Sequence, residues 1–167
     1  MEQGYFEIYT GCGKGKTTAS MGLAMRAVGS GLGVYIGQYY KNGDSGEVRM
    51  LLSRFPDVTV EEYGFGEVQA DVRPDKNPFF EKPYQVLTSG EYDVVILDEM
   101  NVAVEFGLLS EEEAIEIIDA RPQSVELVFT GRNALPSFVE RADLVSEVLE
   151  IKHYYNQGVG ARAGIEY

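Results

Sequence analysis

The sequence predicts an α/β fold, a mostly parallel sheet flanked by helices. Three observations carry that expectation. Apolar runs alternate with helical segments from end to end; a turn rich in glycine and lysine separates the first strand from the first helix; and a later apolar strand runs into two acids, Asp98 and Glu99. Parallel strands joined by crossover helices require this alternation.

Tyr5 to Thr10 reads as a short strand, Gly11 to Gly15 as the turn behind it, and Thr17 to Gly29, rich in Ala, Met and Leu, as a buried helix. Val34 to Tyr39 follows as a second strand, Gly46 to Phe55 as a helix and Val58 to Tyr63 as a third strand. Between Gly64 and Pro83 the pattern dissolves into Gly, Pro, Asp and aromatic residues, a length of irregular chain that suits a substrate loop. A helix ending near Gly90 precedes the apolar strand Asp93 to Leu97. Ser110 and Glu113 have capping-box spacing, which gives the acidic run Glu111 to Glu113 a structural reason at a helix start. Val125 to Thr130 is a further strand, stopped by Gly131 and Arg132. A helix from about Pro136 leads to a last strand, Val145 to Ile151, and a polar, aromatic, glycine-rich tail from Lys152 to Tyr167.

The 167 residues, 44% of them hydrophobic, suit one domain spanning 1–167 with a single core. The net charge of −13 disfavours non-specific attraction to nucleic acid or to an anionic membrane. A lone cysteine, Cys12, and the lack of zinc-ligand spacing suit a reducing cytosol and argue against a structural metal. Neither a secretory signal nor an apolar run of roughly 18 residues is visible, so the expectation is a soluble cytoplasmic protein.

The strongest local signal is Thr10-Gly11-Cys12-Gly13-Lys14-Gly15-Lys16-Thr17-Thr18, placed between a strand and a helix as a phosphate-binding loop requires. Glycines let backbone amides converge on phosphate, the helix start adds positive potential, Lys16 supplies a charge, and the Thr17 hydroxyl can ligate Mg2+. Only three residues separate Gly11 from Gly15 where the usual pattern has four, so either Thr10 stands in the first glycine's place or the loop is a variant. A dinucleotide-binding fold is rejected, because its third glycine would fall at Lys16 and the second strand carries Gln38 in place of an acid. Asp98 and Glu99 complete a P-loop NTPase-like (RecA-like) arrangement, since a carboxylate at that strand end can hold Mg2+ or its water opposite Thr17. Arg132 ends another strand on the same sheet edge, within reach of a phosphate. His153, the only histidine, reads as a cap or packing residue near the site, and Cys12 as a contributor of its backbone amide.

Together with this loop, Gln38-Tyr39-Tyr40-Lys41, Tyr92 to Glu99, Asp119-Ala120-Arg121-Pro122, Thr130-Gly131-Arg132 and the ending Lys152-His153 to Gly164-Ile165-Glu166-Tyr167 resemble the P-loop ATP:corrinoid adenosyltransferases over almost the whole chain. The resemblance implies transfer of the 5'-deoxyadenosyl group of ATP to Co(I) of a reduced corrinoid, with triphosphate leaving, in a protein that is usually a homodimer. It implies ATP contacts along Gly11 to Thr18 and at His153, and an electron donor such as a flavoprotein. Lys16 and Arg132 would stabilise the departing triphosphate, with Mg2+ at Thr17, Asp98 and Glu99. The cobalt is itself the nucleophile, so no activated Ser, Cys or Lys is required. Phe65, in Tyr63-Gly64-Phe65-Gly66, is the candidate for displacing the corrinoid's lower axial ligand.

Three departures from the family pattern stand out. The chain has no Trp to partner Phe65, Cys12 stands where relatives often have Asn, and the sequence begins almost at its first strand, where relatives can carry a segment over the corrinoid. The last implies a more open site or covering by another part of the chain. Two other functions compete. A small-molecule kinase would need a cationic lid, yet only Arg141, Lys152 and Arg162 follow Arg132. A non-catalytic, nucleotide-gated corrinoid carrier would bind both ligands without forming a cobalt–carbon bond.

Overall fold

The computed structural model describes residues 1–41, 45–63 and 77–167. Six strands form one sheet in the order β3-β2-β4-β5-β1-β6: β1 (Phe6–Thr10), β2 (Val34–Tyr39), β3 (Val58–Tyr63), β4 (Val94–Asp98), β5 (Glu126–Thr130) and β6 (Leu144–Glu147). Every pairing is parallel, so all the strands finish along one edge. The helices are α1 (Lys16–Gly29), α2 (Gly46–Arg54), α3 (Pro78–Thr88), α4 (Met100–Glu105), α5 (Glu111–Asp119) and α6 (Pro136–Val139). No helix among the described residues is long and apolar enough to cross a membrane.

Both faces of the sheet are covered, which is why β2 and β4 are buried at every position and read as continuous apolar runs. On one face, Met21, Ala24 and Ala27 of α1 and Leu51 of α2 belong to a cluster with Ile36, Ile96 and Val128. On the other, Phe80, Met100, Ile117 and Phe138, from α3 to α6, join Ile8, Tyr35, Leu97 and Phe129. The capping box at α5 is present, with Ser110 Oγ accepting from the Glu113 amide and the Glu113 carboxylate from the Ser110 amide.

The irregular stretch expected to run to Pro83 already gives way to helix at Pro78. Asn77 caps α3 by accepting from the Phe79 amide and donates to the Leu108 carbonyl and the Glu113 carboxylate, joining the starts of α3 and α5. Pro83 does not break the helix. It has no N–H for the Phe79 carbonyl four residues back, and the Tyr39 hydroxyl donates to that oxygen instead, at 2.9 Å. The last strand is also shorter than the expected Val145 to Ile151. It ends at Glu147; Val148 N still donates to the Thr10 carbonyl at the end of β1, while the Val148 carbonyl is taken by the Gly13 amide of the loop that follows. α4, opening directly behind Glu99, has no counterpart in the sequence reading, and the helix at Pro136 is a single turn.

Arg121, from the Ala-Arg-Pro block, has a structural role. Its Nη1 donates to the carbonyls of Gly4, Pro122 and Val125 near the start of the sheet. Close by, burial together with the neighbouring Glu7 pushes Glu126 up to about 7, against the Tyr5 amide and Arg121, which pull it down. The folded chain therefore holds a proton that the unfolded chain releases at lower pH, so this group's stability contribution is lost as pH rises toward 7. Glu126→Gln should gain stability relative to the parent between pH 5 and pH 8 in urea unfolding. A difference independent of pH would refute the assignment.

Candidate functional site

The loop between β1 and α1 is clamped from below by the chain that follows β6. Val148 N donates to the Thr10 carbonyl at 2.8 Å, and Gly13 N donates to the Val148 carbonyl at 2.7 Å. A Cβ on Gly11 would stand 2.5 Å from the Val148 oxygen, and one on Gly13 2.7 Å from the Leu149 oxygen. These two glycines thus answer to the close approach of another backbone as well as to any ligand. The Gly13 amide is engaged within the protein, and the amides left to an anion include those opening α1, which have no acceptor inside the helix. Lys16 is buried at the first position of α1, and its ammonium donates to the Gly11 and Gly13 carbonyls at 2.8 and 2.9 Å.

Asp98 and Glu99 face this loop from the end of β4. Asp98 is fully buried; its Oδ1 accepts from Thr17 Oγ1 at 2.9 Å and Thr130 Oγ1 at 2.7 Å, and its Oδ2 from Gln38 Nε2 at 3.1 Å. The Thr130 hydroxyl also accepts the Glu99 amide at 2.9 Å. Glu99 has φ 61, a left-handed conformation rare outside glycine, and its amide bond to Thr130 fixes the turn that starts α4.

A cavity of about 550 Å3 opens over these elements. Cys12 to Thr18, Glu99, Arg132 and His153 line it, so most of the sequence-predicted site residues converge there; Asp98 lies one layer behind. Phe65 lies outside the described residues. His153 accepts the Tyr155 amide on Nδ1 and caps a short 3-10 helix, Tyr154–Gln157. The sequence reading missed Lys41, at the end of β2, Glu47, in the first turn of α2, and the chain's own end, Gly164 to Tyr167, all of which line the cavity. For Lys41 the available signal was its position just past a parallel strand. For Gly164 to Tyr167 there was only the tail's likeness to relatives.

The cavity's electrostatics favour a polyanion with a cation. Burial lowers the Lys16 ammonium from its ordinary value, Glu99 opposes that, and Arg132 adds to it. Burial and the neighbouring Asp98 raise Glu99, although Lys41, Lys16 and Arg132 pull it down. Phosphate oxygens beside Lys16 and a cation beside Glu99 would relieve both penalties.

The family model described as ATP:corrinoid adenosyltransferase BtuR/CobO/CobP matches residues 2–167. A corrinoid adenosyltransferase of Escherichia coli K12 is 34% identical over 99% of this chain and 87% of its own length. One from Pseudomonas aeruginosa is 32% identical over 99% and 85%, and corrinoid adenosyltransferase CobA of Salmonella typhimurium is 34% identical over 170 residues.

The contact beneath the loop can be tested directly. Gly13→Ala should lower unfolding stability by about 1–3 kcal/mol, the cost of forcing a methyl against packed backbone, read by urea denaturation. Unchanged stability would show that the chain after β6 does not clamp the loop.

Proposed function

The chain belongs to the ATP:corrinoid adenosyltransferase family, and on that premise we propose that it transfers the 5'-deoxyadenosyl group of ATP to Co(I) of a reduced corrinoid. Co(I) supplies an electron pair to the ATP 5'-carbon, the C5'–O bond breaks, and its pair leaves with triphosphate. Cobalt becomes formally Co(III) in the new cobalt–carbon bond. The observation that carries the reading is a group of cations gathered at one loop. In a chain of net charge −13, Lys16, Lys41 and Arg132 line one cavity beside the acids Glu47, Glu99 and Glu166, as a leaving polyphosphate with its cation requires. Incubation with ATP, magnesium and chemically reduced corrinoid should yield alkylcobalt absorbance and free triphosphate. ADP would indicate a kinase, and binding without product a carrier.

The chain's residues supply position and charge. Lys16 and the first-turn amides of α1 hold the triphosphate, and Arg132 approaches from the end of β5. The donor set fits Mg2+: the Thr17 hydroxyl and Glu99 line the cavity, and Gln38, whose Nε2 donates to Asp98, has a buried Oε1 with no hydrogen-bond partner among the described residues, suited to a metal-bound water. Mg2+ would supply positive charge against the growing charge of the leaving group. Asp98 is a positioning residue that fixes Thr17 and Thr130.

The corrinoid must be reduced to Co(I) from outside, because one cysteine is no dithiol couple; the reading therefore includes an electron donor such as a flavoprotein. A cytoplasmic setting is supported by that same free thiol. A homodimer is supported by exposed apolar residues on and beyond the edge strand β6, namely Leu144, Val145, Leu149 and Ile151.

Lys16→Ala should lower turnover by about a hundredfold or more; near-normal turnover removes Lys16 from the site. Glu99→Gln should raise the magnesium concentration needed for half-maximal rate, and an unchanged titration counts against metal binding there. Phe65→Ala should impair the reaction from Co(II) with a mild reductant far more than the reaction from preformed Co(I), since only the former needs the lower ligand removed. Equal losses would reduce Phe65 to a packing residue.

A further inference from the structure

We propose that the chain's end, Gly164 to Tyr167, is a wall of the nucleotide site for the nucleoside part of ATP, and that Lys14 tethers this wall in place of contacting phosphate. The proposal rests on the reading of the cavity as an ATP site. Lys14 Nζ donates to the Ile165 carbonyl at 2.9 Å, joining the loop after β1 to a residue 151 positions away. Gly164, Ile165, Glu166 and Tyr167 line the same cavity as Lys16 and Thr17. Lys16 and Thr17 mark its phosphate end, and Tyr167, with half its surface exposed, offers an aromatic ring suited to the flat face of a purine.

The tail has its own framework. Arg162 donates to the Glu166 carboxylate through its backbone amide at 2.7 Å and through Nε and Nη2 at 3.3 Å each, and its guanidinium lies 4.8 Å from the centre of the Tyr154 ring. The Tyr154 hydroxyl donates to the same carboxylate, and Gly164 N donates to the Tyr167 carbonyl at 2.7 Å. Arg162 and Tyr154 hold Glu166 down to about 2, so the carboxylate keeps its charge at any working pH. Exposed polar contacts of this kind are individually weak, so the tail's placement over the cavity responds to the loss of either its tether or its framework. Arg162 is not among the cavity-lining residues but contacts Glu166, which is, so it reaches a nucleotide through the tail and through its charge, and the charge-matched comparison with Lys14→Met separates the two.

Two probes separate the roles: ATP, and inorganic tripolyphosphate, which lacks the nucleoside. Affinities are measured by calorimetric titration with magnesium for the parent, Lys14→Met, Arg162→Met and the double variant. The single variants are matched in charge. Each should weaken ATP by about three- to tenfold, the worth of an ordinary hydrogen bond. The double variant should be no weaker than the poorer single one. Tripolyphosphate should be affected no more by Lys14→Met than by Arg162→Met, and Lys14→Arg should restore ATP affinity. Weakening of tripolyphosphate by Lys14→Met as large as that of ATP would return Lys14 to the phosphates and overturn the proposal. So would multiplied losses in the double variant, or ATP affinity unchanged in either single variant. Failure of the parent to bind ATP would instead overturn the reading of the cavity.

Discussion

Asp98 is the residue on which the site's construction depends. A carboxylate removed from water is costly unless its lone pairs are matched, and here three neutral side-chain donors reach it from three different elements: Thr17 from α1, Thr130 from β5 and Gln38 from β2. Those bonds fix the ends of β2, β4 and β5 relative to the start of α1. They also leave the Thr130 hydroxyl placed to accept the Glu99 amide, which holds the left-handed turn that brings Glu99 to the cavity. The half-buried acid is therefore positioned by the fully buried one beside it in sequence. Adjacent carboxylates do not need matching roles, and these two are separated by burial.

The strand order makes this convergence available. Because the sheet is parallel throughout, every strand delivers its last residues to one edge, and β5 lies between β1 and β4. Arg132 follows β5, Glu99 follows β4 and Lys41 follows β2, so residues far apart in sequence arrive around a single helix N-terminus. Concentrating cations there in an acidic chain has a thermodynamic consequence. Burial disfavours the charged forms of Lys16 and Glu99 alike, so a ligand that offers phosphate oxygens to the one and a cation to the other offsets both costs.

Much of this was legible in the sequence because it is local. Strand β2 falls at its expected residues, Val34 to Tyr39, and the capping box at Ser110 holds, since periodicity and capping depend on neighbours only a few residues away. The loop and the Asp98-Glu99 strand end were legible for the same reason. The misses are long-range. Pro83 reads as irregular chain because nothing local shows that the Tyr39 hydroxyl will serve the Phe79 carbonyl, and the last strand reads as longer because nothing local shows the Val148 carbonyl taken by the Gly13 amide. α4 was invisible because it is short and begins from a backbone conformation enforced by Thr130, 31 residues away.

The same distinction bears on what the loop's glycines mean. A phosphate-binding loop read from sequence explains its glycines by the ligand, yet Gly11 and Gly13 are required by the backbone of Val148 and Leu149 with no ligand considered. The chain after β6 is then part of the loop's own construction, touching it beneath at Gly13 and again above at Lys14 through Ile165. A change in the length of the loop or of the tail would shift the Lys14 to Ile165 hydrogen bond that joins them. A loop one residue shorter than the usual pattern, joined to a tail that returns to the same cavity, is better understood as a single unit built from both ends of the chain.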